Sequence, residues 1–176
     1  METKITSAPE ELGDADAIVL PGVGSFSAAS KNLRSFRSKL DGSIREGTPL
    51  LGVCLGMQLF FQASEEGPGE GLEILDGKVL RLPHNVKTPH MGWNTLKISR
   101  DSIILDGIND GDYFYFVHSY FADPSDERIT VAETDYGLTY PSVVAYKNIY
   151  GTQFHPEKSG TKGQRIIQNF SRIIKR

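Results

Sequence analysis

The single cysteine of the chain lies in a pattern that is typical of a nucleophile. In "PLLGVCLGMQLF", Cys54 follows an apolar run and is bracketed by Gly52 and Gly56. This spacing matches the G-x-nucleophile-x-G elbow, a sharp turn from a strand into a helix that requires small flanking residues. The turn would direct the thiol outward at a helix N-terminus, where the macrodipole favours the thiolate, and would leave the Leu55 N–H free for an oxyanion. A small buried hydrophobe is the alternative role for a free cysteine.

A thiol nucleophile requires a base, and the histidine at position 155 suits that role. His155 lies in "TQFHPEK" at the end of a predicted strand, and Glu157 follows two residues later. Residues i and i+2 of an extended segment point the same way, so the carboxylate can orient the imidazole and stabilise its charged form. By itself this tripeptide could also be a surface turn with a weak ion pair. Together with the elbow, it predicts a triad of Cys54, His155 and Glu157.

Composition narrows the class of protein. The 176 residues are 39% hydrophobic and 23% charged, which favours a single globular domain that spans residues 1–176. The net charge of −3 gives no reason to expect nucleic acid as a binding partner. No apolar stretch reaches the length of a membrane span, about 18 residues, and the start of the chain lacks the apolar core of a secretory signal. A lone cysteine cannot form an internal disulfide, so we expect a cytoplasmic location. No ligand cluster indicates a metal or an organic cofactor.

Strand and helix patterns alternate in the first third of the chain. We predict a strand at 17–20, a helix at 27–44, a strand at "LLGV" and a helix at "LGMQLFFQAS". The second half is rich in β segments separated by turn residues, namely "DYFYFVHSYFA", "ITVAET", "SVVAYK" and "IYGTQFHP", and the chain ends in the amphipathic helix "QRIIQNFSRIIKR". This order indicates an α/β fold in which a parallel sheet is extended by antiparallel or mixed strands.

Three motifs together carry a family resemblance. The elbow "GVCLGMQ", the pair "HPE" and the upstream loop "PGVGSF" resemble class I (triad) glutamine amidotransferases. Within that class, "LPGVGSF" and "PHMGWN" are similar to the glutaminase subunit of imidazole glycerol phosphate synthases, which act in histidine biosynthesis. The likeness runs from about Ile5 to the C-terminus. It implies a three-layer, flavodoxin-like fold with a mixed, mostly parallel sheet.

The resemblance also implies a reaction. Cys54 would attack the side-chain amide of glutamine, His155 would transfer the proton to the leaving ammonia, and Glu157 would orient His155. The oxyanion and substrate sites are implied at Gly22, Val23, Gly24, Gly52, Leu55, Gln58, Ser119 and Tyr120. Because a peptide beside glycine reorients easily, we hypothesise that the Val23 N–H turns towards the site only when a partner or ligand binds. His118 is interpreted as a structural histidine.

A partner is implied as well. Tryptophan is more often a core residue, but beside Met and Asn it can be an interface hot spot, and the resemblance favours the interface. Met91, Trp93, Asn94 and Lys158 would then face a cyclase subunit with a (β/α)₈ barrel, and ammonia would pass directly into that barrel.

One departure from the family concerns the start of the chain. Relatives open with a further strand and helix, which carry a "YGxGN"-like loop, before the segment that begins here at "KITS". In the flavodoxin-like order that strand lies between the "KIT" strand and "AIVLP". Three explanations are open: the sequence starts at an internal methionine, "KIT" moves in beside "AIVL", or the sheet is incomplete.

Other functions also remain open at this stage. One is the glutaminase subunit of another assembly, for example in anthranilate, guanylate or pyridoxal-phosphate synthesis, although those usually carry a "PGG"-type loop. Another is a truncated, non-catalytic binding subunit. A cysteine peptidase finds no support in an elbow that ends in "GMQ".

Overall fold

Strands and helices alternate in the first third of the chain, and strands predominate afterwards. A computed structural model describes residues 2–174. The strands are β1 (Ile18–Leu20), β2 (Leu50–Val53), β3 (Ala63–Ser64), β4 (Gly77–Arg81), β5 (His90–Thr95), β6 (Lys97–Ile98), β7 (Tyr113–His118), β8 (Tyr120–Pro124), β9 (Thr130–Asp135), β10 (Thr139–Tyr146) and β11 (Ile149–Thr152). The α-helices are α1 (Phe26–Leu33), α2 (Arg37–Arg45), α3 (Leu55–Gln58) and α4 (Gly160–Ile174).

The main sheet has six strands in the order β1-β2-β11-β10-β9-β6. Strands β1, β2 and β11 are parallel to one another, whereas the remaining pairings are antiparallel. The predicted mixed sheet is confirmed, but its parallel part is smaller than expected. The reason is that β9, β10 and β11 follow one another through short turns, and such turns can join only antiparallel neighbours. Smaller sheets combine β3, β4 and β8, and β5 with β7.

A hydrophobic core packs against each face of the main sheet, which produces three layers. Successive residues of β2 belong to opposite cores, because strand side chains alternate between faces. Leu50 packs in a core with Phe26 of α1 and Leu40 of α2. Leu51 packs on the other face, in a core that also contains Ile166 and Phe170 of α4. The C-terminal helix is where the sequence predicts it, up to residue 174; residues 175 and 176 lie outside the described range.

Two helices differ from their predictions. The helix predicted at 27–44 is α1 and α2 joined by a 3₁₀ turn at Arg34–Phe36. The helix predicted at "LGMQLFFQAS" ends at Gln58, and Phe60 and Phe61 are fully buried. Backbone N–H groups of the segment 72–75 donate to the carbonyls of Leu59 and Phe60 in place of a continuing helix. An apolar run of this length fits a buried turn as well as a helix, so periodicity could not separate the two.

The start of the chain does not add a strand to the sheet. Lys4 and its neighbours have no strand structure, and Ile5 is 97% exposed. Strand β1 therefore forms the edge of the sheet within residues 2–174, and the explanation that "KIT" pairs beside "AIVL" is wrong.

Candidate active site

Cys54 occupies a strained turn between β2 and α3. Its backbone has φ +51° and ψ −108°, a conformation that costs a non-glycine residue on the order of 1–3 kcal/mol. A Cβ on Gly52 would lie 2.6 Å from the Met57 nitrogen, and one on Gly56 would lie 2.0 Å from the Leu20 carbonyl oxygen. The flanking glycines are therefore required by close packing, as the elbow pattern predicts.

The sulfur of Cys54 is buried, with 7% of the residue exposed. Sγ donates to the Val117 carbonyl at 3.8 Å and accepts from Gln153 Nε2 at 3.6 Å. Burial raises the pKa of the Cys54 thiol to about 11, although hydrogen bonds from the Leu55 N–H and the Gln153 amide lower it. The resting site therefore does not favour the thiolate as the elbow pattern predicts, because desolvation by burial is the largest influence on the pKa of this thiol.

The proposed base and its orienting carboxylate are in contact. His155 Nδ1 lies 2.7 Å from Glu157 Oε1, with His155 4% exposed and the carboxylate half-exposed. The backbone between them is not the extended segment that the sequence suggests, because a 3₁₀ turn runs over Pro156–Lys158. Proline at its first position is compatible with that turn. The Ser159 hydroxyl donates a hydrogen bond to the His155 carbonyl at 2.6 Å.

The elbow and the histidine segment follow adjacent parallel strands. Thr152 of β11 lies opposite Val53 of β2, so Cys54 and Gln153 begin the loops at the same edge of the sheet. The charges of Glu157 and Lys158 both act on the Cys54 thiol, the carboxylate raising its pKa and the ammonium lowering it. This edge is where open α/β sheets carry their ligand sites.

The loop at 21–26 lies against the elbow. A Cβ on Gly22 would come within 2.7 Å of the Leu55 nitrogen and 2.9 Å of Cys54 Cβ. Val23 is 81% exposed, and Gly24 has φ +102° with open space around it. Gly22 is therefore packed against the elbow beside the Leu55 nitrogen, and the oxyanion role of the loop stays a prediction.

The predicted substrate residues beyond the elbow form one connected group. Gln58 is buried, and its Nε2 donates to the Tyr120 carbonyl at 2.8 Å and to Gln153 Oε1 at 3.2 Å. Ser119 and Tyr120 are partly buried at the junction of β7 and β8. The amide nitrogen of Gln58 is thus used internally in this conformation, and its contact with substrate stays a prediction.

Comparison with known proteins identifies the family. Residues 2–174 match the family model described as glutamine amidotransferase class-I. The chain belongs to the class-I glutamine amidotransferases. It is 49% identical to the imidazole glycerol phosphate synthase subunit HisH of Methanothermobacter thermautotrophicus, over 97% of this chain and 86% of that protein. The subunit of the same name from Pyrococcus furiosus is 50% identical, over 96% of this chain and 88% of that protein.

Solved structures share the fold of this amidotransferase. A crystal structure of a glutamine amidotransferase superposes with a TM-score of 0.76 at 20% identity, and the match covers 100% of this chain and 88% of that one. The glutaminase domain of Trypanosoma brucei CTPS, with bound acivicin, gives 0.67 at 18% identity, with 93% and 74% covered. At these identities the likeness concerns the fold, and it confirms the predicted fold class.

A histidine–tyrosine network contacts Tyr120, one of the predicted substrate residues. The Tyr140 hydroxyl is 2.9 Å from His90 Nδ1 and 3.1 Å from His118 Nε2, and His118 Nδ1 donates to the Tyr120 carbonyl at 2.9 Å. Burial lowers the pKa of His118 to about 3 and that of His90 to about 4. Both imidazoles are therefore neutral near pH 7, and both ring nitrogens of His118 have partners within the fold. No sequence pattern points to Tyr140, whereas Gln153, two residues before His155, could have been found from strand alternation.

The predicted partner residues of the amidotransferase lie on more than one face. Met91 and Trp93 of β5 are 61% and 56% exposed. Asn94 belongs to the opposite face of that strand, and its Nδ2 donates to the Asp135 carbonyl at 2.9 Å. Lys158 is exposed near the triad segment. Met91 and Trp93 thus form an exposed apolar pair that Asn94 does not extend.

Residues 2–174 contain neither a candidate metal site nor a helix that could span a membrane. No group of three or more His, Cys, Asp or Glu side chains in this range is placed to hold a metal ion. None of the helices in the range has the length and hydrophobicity to cross a bilayer.

Proposed function

We propose that this chain is the glutaminase subunit of an imidazole glycerol phosphate synthase. It would hydrolyse glutamine to glutamate and ammonia, and pass the ammonia to a cyclase subunit in histidine biosynthesis. The observation that carries the proposal is that the strained elbow of Cys54 and the hydrogen-bonded pair of His155 and Glu157 follow adjacent, paired strands of the sheet. The names of relatives that are 48–50% identical over nearly the whole chain support this assembly over other amidotransferases.

The triad geometry suggests the order of proton transfers. Because His155 Nδ1 donates to the Glu157 carboxylate, Nε2 is the nitrogen left to act as base. Nε2 would take the proton from Sγ, the sulfur would attack the carbon of the glutamine amide, and the imidazolium would protonate the departing ammonia. Water would then hydrolyse the glutamyl thioester. Leu55 N–H and an N–H of the loop at 22–24 would stabilise the oxyanion, where one such donor is worth roughly 10²–10³ in rate.

The low exposure of the sulfur and the imidazole suggests that the resting site must open or rearrange to admit glutamine. The exposed Val23 and the positive φ of Gly24 support the loop as the element that moves. The partner would bind at Met91 and Trp93, with Lys158 near the ammonia exit. The cytoplasmic location and the single-domain organisation stay predictions.

A non-catalytic binding subunit is the second candidate, because within residues 2–174 β1 has only β2 as a neighbour in the main sheet. The presence of Cys54 in a strained elbow and of the His155–Glu157 pair supports the enzyme. Glutamate release would be measured with and without the cyclase subunit and its nucleotide ligand, for the wild type and for Cys54→Ala. We expect release that depends on Cys54 and increases with the partner. Equal, background-level release from both proteins under all conditions would favour the binding subunit.

A further inference from the structure

Gln153 lies in direct contact with the nucleophile and has no role in the triad. It follows β11 directly, its side chain is fully buried, and its backbone N–H donates to the Ser142 carbonyl at 2.9 Å. Its Nε2 lies 3.6 Å from Cys54 Sγ. The oxygen and the nitrogen of this buried amide would have opposite effects on the stability of a thiolate. The effect of Gln153 therefore depends on which of the two atoms faces Sγ.

The hydrogen bonds of the neighbouring groups determine that orientation. The Tyr120 carbonyl can only accept, so the side-chain NH₂ group of Gln58 must point towards it. The second hydrogen of that NH₂ group is directed at Gln153 Oε1, 3.2 Å away. Gln153 must therefore accept through its oxygen, which leaves its NH₂ group facing Cys54 Sγ.

The sulfur has two neighbours with opposite preferences for its protonation state. The Val117 carbonyl accepts from the S–H group, so it favours the thiol and would repel a thiolate. The Gln153 amide donates, and its hydrogen bond becomes stronger when the sulfur carries negative charge. In a buried site such a donor replaces part of the hydration that the thiolate has lost.

We infer that Gln153 is a thiolate-stabilising residue of this active site, held with its amide donor towards Cys54 Sγ by Gln58 and the Tyr120 carbonyl. When His155 takes the thiol proton, the interaction with Val117 becomes unfavourable and the donation from Gln153 remains. The inference rests on the proposed function in one respect only, namely that Cys54 reacts as a thiolate.

Alkylation of the thiol tests this role directly, because the chain contains one cysteine. The rate constant for iodoacetamide would be measured between pH 7.5 and 9.5, where it follows the thiolate fraction, for the wild type and for Gln153→Met, which keeps the length and removes the donor. We expect alkylation about tenfold slower in Gln153→Met, which corresponds to about one pKa unit. Gln168→Met, on the exposed side of α4, is the matched control and should react like the wild type.

Loss of structure in Gln153→Met would change the alkylation rate in the opposite direction. Burial raises the pKa of the folded thiol to about 11, so an unfolded variant would be alkylated faster than the wild type. If Gln153→Met does not fold, Gln58→Met provides the second test, since it releases the Gln153 amide and should also slow alkylation. Alkylation at the wild-type rate in a folded Gln153→Met variant would overturn the inference.

The same experiment separates this inference from the proposed function. Alkylation requires no glutamine, so a wild type without glutaminase activity would overturn the proposed function and leave the comparison of the Gln153 and Gln168 variants valid. Where glutaminase activity is present, we expect kcat/KM for glutamine to fall in Gln153→Met by a factor similar to the alkylation rate.

Discussion

The backbone N–H of Cys54 donates to the Thr152 carbonyl at 2.7 Å, which joins the elbow to the strand that leads to His155. This bond continues the parallel pairing of β2 and β11 by one residue beyond the end of β2. The spacing between the sulfur and the histidine segment is therefore set by backbone geometry.

The elbow should be intolerant of even one methyl group. Gly56→Ala would place a Cβ 2.0 Å from the Leu20 carbonyl oxygen, so β1 and α3 must move apart. We expect the free energy of unfolding in urea to fall by about 3 kcal/mol, with loss of glutaminase activity. Gly42→Ala is the control. Gly42 lies within α2, and a Cβ added there would meet no atom of another part of the chain within 4 Å. This substitution should leave the free energy of unfolding unchanged or increase it. Equal stabilities of the two variants would contradict the packing argument.

Removing the Glu157 carboxylate should have opposite effects on thiol reactivity and on turnover. The negative charge of Glu157 raises the pKa of the Cys54 thiol, so Glu157→Gln should accelerate alkylation of Cys54. The variant should nevertheless lower kcat for glutamine, on the order of 10²-fold, because the imidazolium of His155 loses its partner. Lys158→Gln should slow alkylation, since the ammonium lowers the same pKa. A change of the same sign in both variants would argue against this electrostatic account.

Acid should destabilise the fold through the buried histidines. The pKa of His118 is about 3 in the folded chain and 6.5 in an unfolded reference, so the unfolded state binds more protons between these values and stability falls as the pH decreases through that window. For His118 the loss between pH 7.5 and pH 5 is about 2 kcal/mol. His118→Asn can still donate to the Tyr120 carbonyl, and its free energy of unfolding should depend less on pH by that amount. His84→Asn, at an exposed position, should keep the wild-type dependence.

Gly24 allows a test of the proposed loop movement. Its φ of +102° disfavours a β-branched residue, while the open space around it admits the side chain. If the Val23 peptide turns when the partner binds, Gly24→Val should reduce partner-stimulated glutamate release more than basal release. Gly47→Val is the control, with φ +93° and open space at the end of α2. Equal losses of basal and stimulated release in Gly24→Val would oppose a switch.

Local patterns predicted the elements around the site because each has a short-range cause. The elbow at Cys54 depends on two glycines, and the pairing of His155 with Glu157 depends on a separation of two residues. The short length of α3 and the raised pKa of the thiol could not be predicted, because both depend on burial. Leu59 and Phe60 lose their helical continuation to a segment that lies more than ten residues later. The contact of Gln153 with the sulfur likewise requires β2 and β11 to be neighbours.

The exposed pair on β5 should carry much of the binding to a cyclase subunit. Trp93 is 56% exposed and packs edge to face on Tyr115 of β7, so its ring is held in place before a partner arrives. A pre-ordered aromatic side chain loses little conformational entropy on binding, and truncation of such a residue at an interface typically costs about 2 kcal/mol or more. We therefore expect Trp93→Ala to raise the Kd for the cyclase subunit about 30-fold, measured by calorimetry. Tyr146→Ala, which removes a 43% exposed aromatic side chain from β10, should bind like the wild type. A Kd unchanged by Trp93→Ala, or raised equally by both substitutions, would place the interface elsewhere.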